Sequence, residues 1–144
     1  MADGLTAQHM DYAPALPNLI IGDDGHPRLL GTRCGACRTT VPDRRIACPA
    51  CGNRAAVETV ALEGPGTVHA HTVVHRSYPG VRTPFVAVAV DLDSGGTLKG
   101  TLADVDPLAS PPDRVELVFR DSGQRTREGK AFLCYYFIPA GSDA

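Results

Sequence analysis

From Gly52 onward the apolar residues fall at every second position, the period of a half-buried strand. Residues 56–62 read as one strand and break at Gly64-Pro65-Gly66. Residues 67–76 read as a second, ending in the turn Ser77-Tyr78-Pro79-Gly80. Residues 84–90 (Pro-Phe-Val-Ala-Val-Ala-Val) are a strongly apolar strand, rich in the β-branched residue that suits a pleated surface. Asp93-Ser94-Gly95-Gly96 is a hairpin turn into residues 97–102. A proline-containing connection covers 104–112. Residues 114–120 then alternate, with Val115, Leu117 and Phe119 on one side and Glu116 and Val118 on the other. Residues 121–130 read as a charged, flexible loop, and 131–139 as the last strand. The barrel core is expected to include Val68, Phe85, Val88, Val115, Leu117 and Phe119, closed by 132–137.

No part of this region carries a ten-residue helical stripe. Five or six strands in about 80 residues, with two glycine turns, predict a small closed barrel. A five-stranded OB-like barrel fits best, and a small sandwich is the alternative. Before Gly52 the pattern is sparser. Residues 1–13 carry little period, although Leu5, His9 and Tyr12 could share a helical face. Isolated helices this short are marginal, so an arm is expected there. Pro14 and Pro17 break any helix ahead of Asn18. Leu19-Ile20-Ile21 and Leu29-Leu30 flank the turn Gly22-Asp23-Asp24-Gly25 and should form short extended pieces.

Four of the five cysteines lie between residues 34 and 51. Cys34, Cys37, Cys48 and Cys51 make C-x2-C, ten residues, C-x2-C. Two residues between cysteines let the chain turn so that both sulfurs aim at one point. Gly35 and Gly52 lend backbone freedom, and Pro49 presets the second turn. Two facing knuckles offer four thiolates in a tetrahedron, which suits zinc at about 2.3 Å per bond. Two disulfides are the first alternative, but no signal peptide is evident ahead of them. A redox C-x2-C is the second, but such motifs sit at strand-to-helix junctions, and no helical period flanks these. One closed structural Zn2+ site is therefore expected. It leaves no position for a reactive water.

The 144 residues suit one ordinary domain, or a metal module joined to a small domain. The ribbon is too short to hold a hydrophobic core, so metal must hold it together. The formal charge is −2, and no basic excess advertises nucleic acid. Its distribution is uneven: residues 1–27 hold four acids and no Lys or Arg, whereas 28–60 hold six arginines against Asp43 and Glu58. Four thiolates on one dication carry −2, which offsets half of that local excess. The longest apolar runs, such as 85–90, are strand length, far below the roughly 20 residues of a membrane span. The start, Met-Ala-Asp-Gly, has neither a basic nor an apolar leader region, so a cytoplasmic protein with no membrane role is expected.

Other constellations are weaker. His69, His71 and His75 would share one face of a regular strand, where an exposed or hydrogen-bonded polar face is the simpler reading than a metal site. Cys134, among Phe132, Leu133 and Tyr135, reads as a core residue. Arg125, Arg127 and Lys130 form a cationic loop that could touch a phosphate, such as that of coenzyme A. There is no P-loop, no dinucleotide-binding glycine motif and no G-x-S-x-G elbow, and the carboxylates scatter over loops. No catalytic residue is assigned, and the protein is expected not to be an enzyme by itself.

A ribbon followed directly by such a barrel resembles the DUF35 family, acyl-CoA-associated proteins with a rubredoxin-like zinc ribbon and an OB-fold. The matching residues are Arg33-Cys34-x-x-Cys37, Val41-Pro42, Cys48-Pro49-x-Cys51-Gly52, Gly64-x-Gly66-Thr67-Val68, Thr72-Val73-Val74-His75-Arg76, Pro84-Phe85-Val86, Val115-x-Leu117-Val118-Phe119 and Phe137-x-Pro139-Ala140. The sequence departs from the pattern where Arg38 replaces a common glycine, Asp43 a common second proline, and Ile138 a common basic residue. The long helical hairpin that many members carry ahead of the ribbon is not evident. The resemblance implies a mostly β protein with an arm at 1–27, a zinc ribbon at 28–58 and an OB-fold at 59–144. It implies an accessory subunit of a thiolase-like enzyme or of a hotdog-fold enoyl-CoA hydratase, bridging an acyl-CoA or pantetheine path between active sites. The docking surface is expected on the ribbon's arginines (Arg44, Arg45 and Arg54) together with the arm. His75 and Arg76 fall in a family-matching stretch and join Arg125, Arg127 and Lys130 as ligand candidates. The competing reading is a nucleic-acid module, since ribbons and OB-folds both bind strands. Against it stand the absence of Trp and a barrel (61–144) with eight Lys or Arg against ten Asp or Glu.

Overall fold

The computed structural model describes residues 12–141. The arm expected at residues 1–13 lies mostly outside them, and of Leu5, His9 and Tyr12 only Tyr12 is described. Every regular element in the described residues is a strand: β1 Ala13–Pro14, β2 Leu19–Ile21, β3 Pro27–Cys34, β4 Thr40–Val41, β5 Val57–Leu62, β6 Gly66–Val74, β7 Phe85–Leu92, β8 Thr97–Leu102, β9 Arg114–Arg125 and β10 Ala131–Pro139. Among these residues no helix is long and apolar enough to cross a membrane. The chain divides into two compact units. One runs to Leu62 and adds Phe119–Cys134; the other holds Glu63–Val118 and continues from Tyr135.

The first unit is built on β3. The turn between β2 and β3 closes through the Gly22 amide on the His26 carbonyl (3.0 Å), with Gly25 in the left-handed region at φ 80°. β2 then pairs antiparallel with the start of β3, Leu19 opposite Leu29, and β4 pairs with its end, Thr32 opposite Val41. β5 runs antiparallel to β3 from Leu29↔Leu62 to Cys34↔Val57. The sequence pattern reads residues 56–62 as an opening strand of the barrel. Here that stretch instead completes the sheet that carries the first cysteine, because alternation names a strand's faces but not its neighbour. Gly31 sits where the strands crowd: a Cβ there would lie 2.5 Å from the Val41 carbonyl oxygen and 2.8 Å from Leu62. Leu19, Leu29 and Leu62 are buried, and β1 adds a short parallel pairing to β10 at Ala13↔Phe132.

In the second unit β6, β7 and β8 form an antiparallel meander, Val68↔Val90 and Val90↔Leu98. The Asp93–Gly96 turn closes as expected, with Gly95 and Gly96 both at positive φ. β6 also pairs with β9 at Gly66↔Val115, and β8 runs parallel to β10 at Leu102↔Phe137. The strand order is β10-β8-β7-β6-β9, and β9 also pairs with β10, a closed ring of five strands. This is the expected OB-fold connectivity. Gly66 and Gly100 are tight points: a Cβ on Gly66 would meet Val90 at 2.5 Å, and one on Gly100 would meet the Tyr135 ring at 2.9 Å.

The core differs in detail from the expected one. Val88 and Val115 are buried, but Val68, Phe85, Leu117 and Phe119 are only half-buried. β7 turns Val86, Val88, Val90 and Leu92 inward, joined by Leu98, Leu102, Phe137 and Ile138. In a run that is apolar at every position, either phase of the alternation satisfies the pattern, and the structure puts Phe85 on the face opposite to Val86 and Val88. The expected loop at 121–130 is also shorter. β9 continues to Arg125, and the turn closes through the Thr126 amide on the Lys130 carbonyl (2.8 Å). Asp121 supplies the local order that apolar residues do not. It accepts from the Gly123 amide at 2.8 Å and from Arg125 at 3.0 Å.

Candidate metal centre

Each cysteine knuckle is a one-turn loop closed by its own backbone. The Arg38 amide donates to the Cys34 carbonyl and the Gly52 amide to the Cys48 carbonyl, both at 2.8 Å. Both turns end in the left-handed region, at φ 66° for Arg38 and 76° for Gly52. Glycine takes that conformation freely; arginine does so against the crowding of its Cβ. The expected departure at Arg38 thus strains one turn and leaves its closure unchanged. The knuckles are fixed to the sheet by the Cys34 amide on the Thr39 carbonyl (2.9 Å), the Gly35 amide on the Ala56 carbonyl (2.9 Å) and the Ala56 amide on Asn53 Oδ1 (2.7 Å).

The four sulfurs lie within 4.8 Å of one another. Cys34 and Cys51 are 3.7 Å apart and Cys37 and Cys48 3.5 Å. A zinc tetrahedron with bonds of about 2.3 Å has edges of about 3.8 Å, so the spacing fits that ion. Cys34 and Cys48 are buried, whereas Cys37 and Cys51 face solvent. The Thr39 hydroxyl, 3.2 Å from the Cys37 sulfur, and then the Thr39 amide lower that thiol to about 6. At Cys51 the Asn53 amide pulls downward, but loss of hydration on the cluster-facing side and the other three sulfurs prevail and push the thiol up to about 12. A dication entering the cluster must displace the remaining protons, so its affinity falls as the pH falls. Four protein ligands leave no open coordination position, which makes the centre structural rather than catalytic.

The arginines expected to meet a partner stand on this unit's surface. Arg44, Arg45 and Arg54 are exposed, and Ile46 beside them is 82% exposed. Arg45 is held by Asp43 at 2.8 Å, in a pair half open to solvent. Two residues that sequence reasoning missed fix this segment. Thr32, buried in β3, donates to the Asp43 carbonyl and accepts from the Arg45 amide, both at 2.8 Å. Asn18 donates to the Leu30 and Pro42 carbonyls at 3.0 and 2.9 Å. Neither has a motif; a polar residue inside an apolar strand, at Thr32, was the only available hint.

The ligand candidates fall at different places. His75 and Arg76 are exposed just beyond the end of β6. Arg125 ends β9, paired with Asp121 at 3.0 Å, while Arg127 and Lys130 lie in the turn that follows, all exposed. The three histidines do not share a regular face, because the register of β6 shifts between Val68 and Ala70, at His69. His69 instead meets Asp91 of β7 at 2.9 Å, and Asp91 accepts from Thr97 at 2.6 Å. The Thr97 hydroxyl and then His69 hold the Asp91 carboxyl below its ordinary range. Nearby, Asp93 is lowered by its two-point contact with Arg114, at 2.6 and 2.8 Å.

Comparison with known proteins matches two successive stretches of the chain. Residues 25–58 match the ChsH2 rubredoxin-like zinc ribbon domain and residues 59–120 the ChsH2 C-terminal OB-fold domain. A DUF35 domain-containing scaffold protein of Methanocaldococcus jannaschii is 30% identical over 118 residues, covering 77% of this chain and 81% of that protein. A scaffold protein of the same description from Methanothermobacter thermautotrophicus is 27% identical over 114 residues, with 77% and 86% covered. A "probable enoyl-CoA hydratase alpha subunit" of Thermomonospora curvata is 32% identical over 91 residues, 62% of this chain but 27% of that protein. Among solved structures, a chain described as "Ltp2-ChsH2(DUF35) aldolase" superposes with a TM-score of 0.62 at 29% identity, covering 78% of this chain and 85% of that one.

Proposed function

Because the chain belongs to the DUF35 family, a zinc ribbon joined to an OB-fold, we propose that it is a non-catalytic accessory subunit of an acyl-CoA enzyme, with a thiolase-like enzyme as its partner. The observation that carries this reading is the match to proteins described as scaffolds and to a chain described as "Ltp2-ChsH2(DUF35) aldolase". A closed four-sulfur centre and scattered carboxylates agree with a part that shapes a surface and leaves chemistry to another chain. The partner meets the ribbon at Arg44, Arg45 and Arg54. His75, Arg76, Arg125, Arg127 and Lys130 are the side chains offered to the phosphates of an acyl-CoA. A hotdog-fold hydratase is the second reading, supported by the hydratase subunit's name.

The test is co-expression with thiolase-like and hydratase-like enzymes of the native host, followed by size-exclusion chromatography. A stable complex supports the reading, and turnover should be absent from this chain alone. Reversing the charge at Arg44 and Arg45 should weaken the complex and make the residual binding less salt-dependent, since exposed ion pairs are screened. If neither enzyme associates and both are fully active without this chain, the reading fails. A submicromolar, salt-sensitive affinity for single-stranded DNA or RNA would instead favour the nucleic-acid alternative.

A further inference from the structure

The four sulfurs of the ribbon differ in access, and the difference has a direction. In each knuckle the first cysteine is buried and the second is exposed. Across the cluster the exposed Cys37 sulfur lies 3.5 Å from the buried Cys48, and the exposed Cys51 lies 3.7 Å from the buried Cys34. Each close pair therefore joins an atom that solvent can reach to one that it cannot, and each pair bridges the two knuckles.

We propose that this centre is an oxidation site at which a peroxide converts zinc thiolates into disulfides between the knuckles, with loss of the metal. Thiolate is the nucleophilic form of cysteine, and zinc ligands are held in that form. Cys37 attacks one peroxide oxygen: a sulfur–oxygen bond forms, the oxygen–oxygen bond breaks, and hydroxide leaves. The product is a sulfenic acid, the reversible first step of cysteine oxidation. The Cys48 thiolate then attacks the sulfenic sulfur, forming the disulfide and expelling a second hydroxide. The two sulfurs give up two electrons, which reduce one peroxide to two hydroxides, and two solvent protons turn these into water. Zinc then keeps only Cys34 and Cys51 and dissociates. A second peroxide joins Cys51 to Cys34 by the same route. The oxidised ribbon is held by covalent links across the same two knuckles that the metal linked, so it keeps its strand pairing. Thiol reductant and zinc restore the original centre.

The experiment uses the full chain loaded with zinc, with Cys134→Ser introduced so that the ribbon holds the only cysteines. Hydrogen peroxide is added in steps while a chromogenic chelator reports free zinc. Peptides are then mapped without reduction. The expected result is one zinc released per chain by one to two equivalents of peroxide, Cys37–Cys48 and Cys34–Cys51 disulfides, and recovery of bound zinc after dithiothreitol and zinc are supplied. Zinc retained at ten equivalents overturns the proposal. So does release with Cys34–Cys37 and Cys48–Cys51 bridges, or with sulfinic acids that dithiothreitol does not reverse. The same measurement on the unsubstituted chain guards against misfolding of the Cys134→Ser variant, because metal release is read there independently of the map.

Discussion

The two halves of this chain hold themselves together by different physics. In the barrel, β7 turns four alternate apolar residues inward, and Val90, Val115 and Phe137 are wholly buried. In the ribbon's unit Leu19, Leu29 and Leu62 are buried beside two cysteines and Thr32, and the loops are fastened by single backbone and side-chain bonds. A segment of about thirty residues cannot bury enough apolar surface to fold by itself. One chain thus joins a module with an apolar core to one tied by a sulfur cluster.

The largest effect expected is selective loss of the ribbon. In zinc-finger peptides the metal supplies about 10–16 kcal/mol of apparent folding free energy. Strong chelation, or Cys48→Ser, should collapse the amide resonances of β3 to β5 while those of β7 and β8 stay dispersed. Metal analysis should find one zinc per chain before treatment and none after. Simultaneous loss of both sets of resonances would mean that ribbon and barrel unfold as one unit.

The reciprocal experiment is Phe137→Ala. Truncating a fully buried phenylalanine costs about 3–5 kcal/mol, through lost transfer energy and a residual cavity. Denaturant unfolding monitored on barrel resonances should show that loss, with zinc content unchanged. If zinc is lost at the same denaturant concentration as in the parent, the ribbon is indifferent to the barrel core; an earlier loss would measure their coupling.

A gain is expected at Arg38. Replacing it with glycine removes a left-handed arginine from the first knuckle, and that strain is about 1 kcal/mol or more. The greater freedom of glycine in the unfolded chain takes back part of it, leaving a net gain below about 1 kcal/mol. Competition for zinc against a calibrated chelator should show slightly tighter binding, with the barrel transition unmoved.

The smallest effect belongs to the pair Asp93–Arg114 on the barrel surface, both about half exposed. The folded carboxyl is lowered by the guanidinium, so its contribution is present above the ordinary carboxylate value and is lost as the pH falls through the lowered one. Arg114→Ala should lower thermal stability slightly at neutral pH and by less well below the carboxylate range, where only its bond to the Thr67 hydroxyl is lost. High salt should shrink the difference, as for other exposed pairs.

The cysteine knuckles were legible because their spacing reports chemistry directly, and their sulfurs do converge. The 93–96 turn and the strand at 131–139 were legible from glycine placement and alternation. What stayed hidden depends on a second segment. Nothing in residues 57–62 says that β3 is their neighbour, and nothing near His69 announces Asp91. The phase of β7 was ambiguous because alanines and valines fill both of its faces. Asn18 and Thr32 escaped notice for the same reason, since each acts on backbone groups more than ten residues away. Arg44, Arg45 and Arg54, which we propose meet a partner, are exposed, and exposure is all that their charge and spacing made legible.

The tenth strand imposes a timetable on synthesis. Its first residues pair with β1, where Ala13 meets Phe132, and its later ones with β8, where Phe137 meets Leu102. On the ribosome, β2 to β5 can gather round zinc as soon as Leu62 has emerged, and β6 to β8 can form their meander soon after. Ala13 must nevertheless wait for Phe132, and the ring of five strands must wait for β9 and β10. Until those residues leave the exit tunnel, the edges of β1 and β8 that β10 will cover are open to other strands, so a nascent chain stalled before Ala131 is the form that chaperones or early partners would meet.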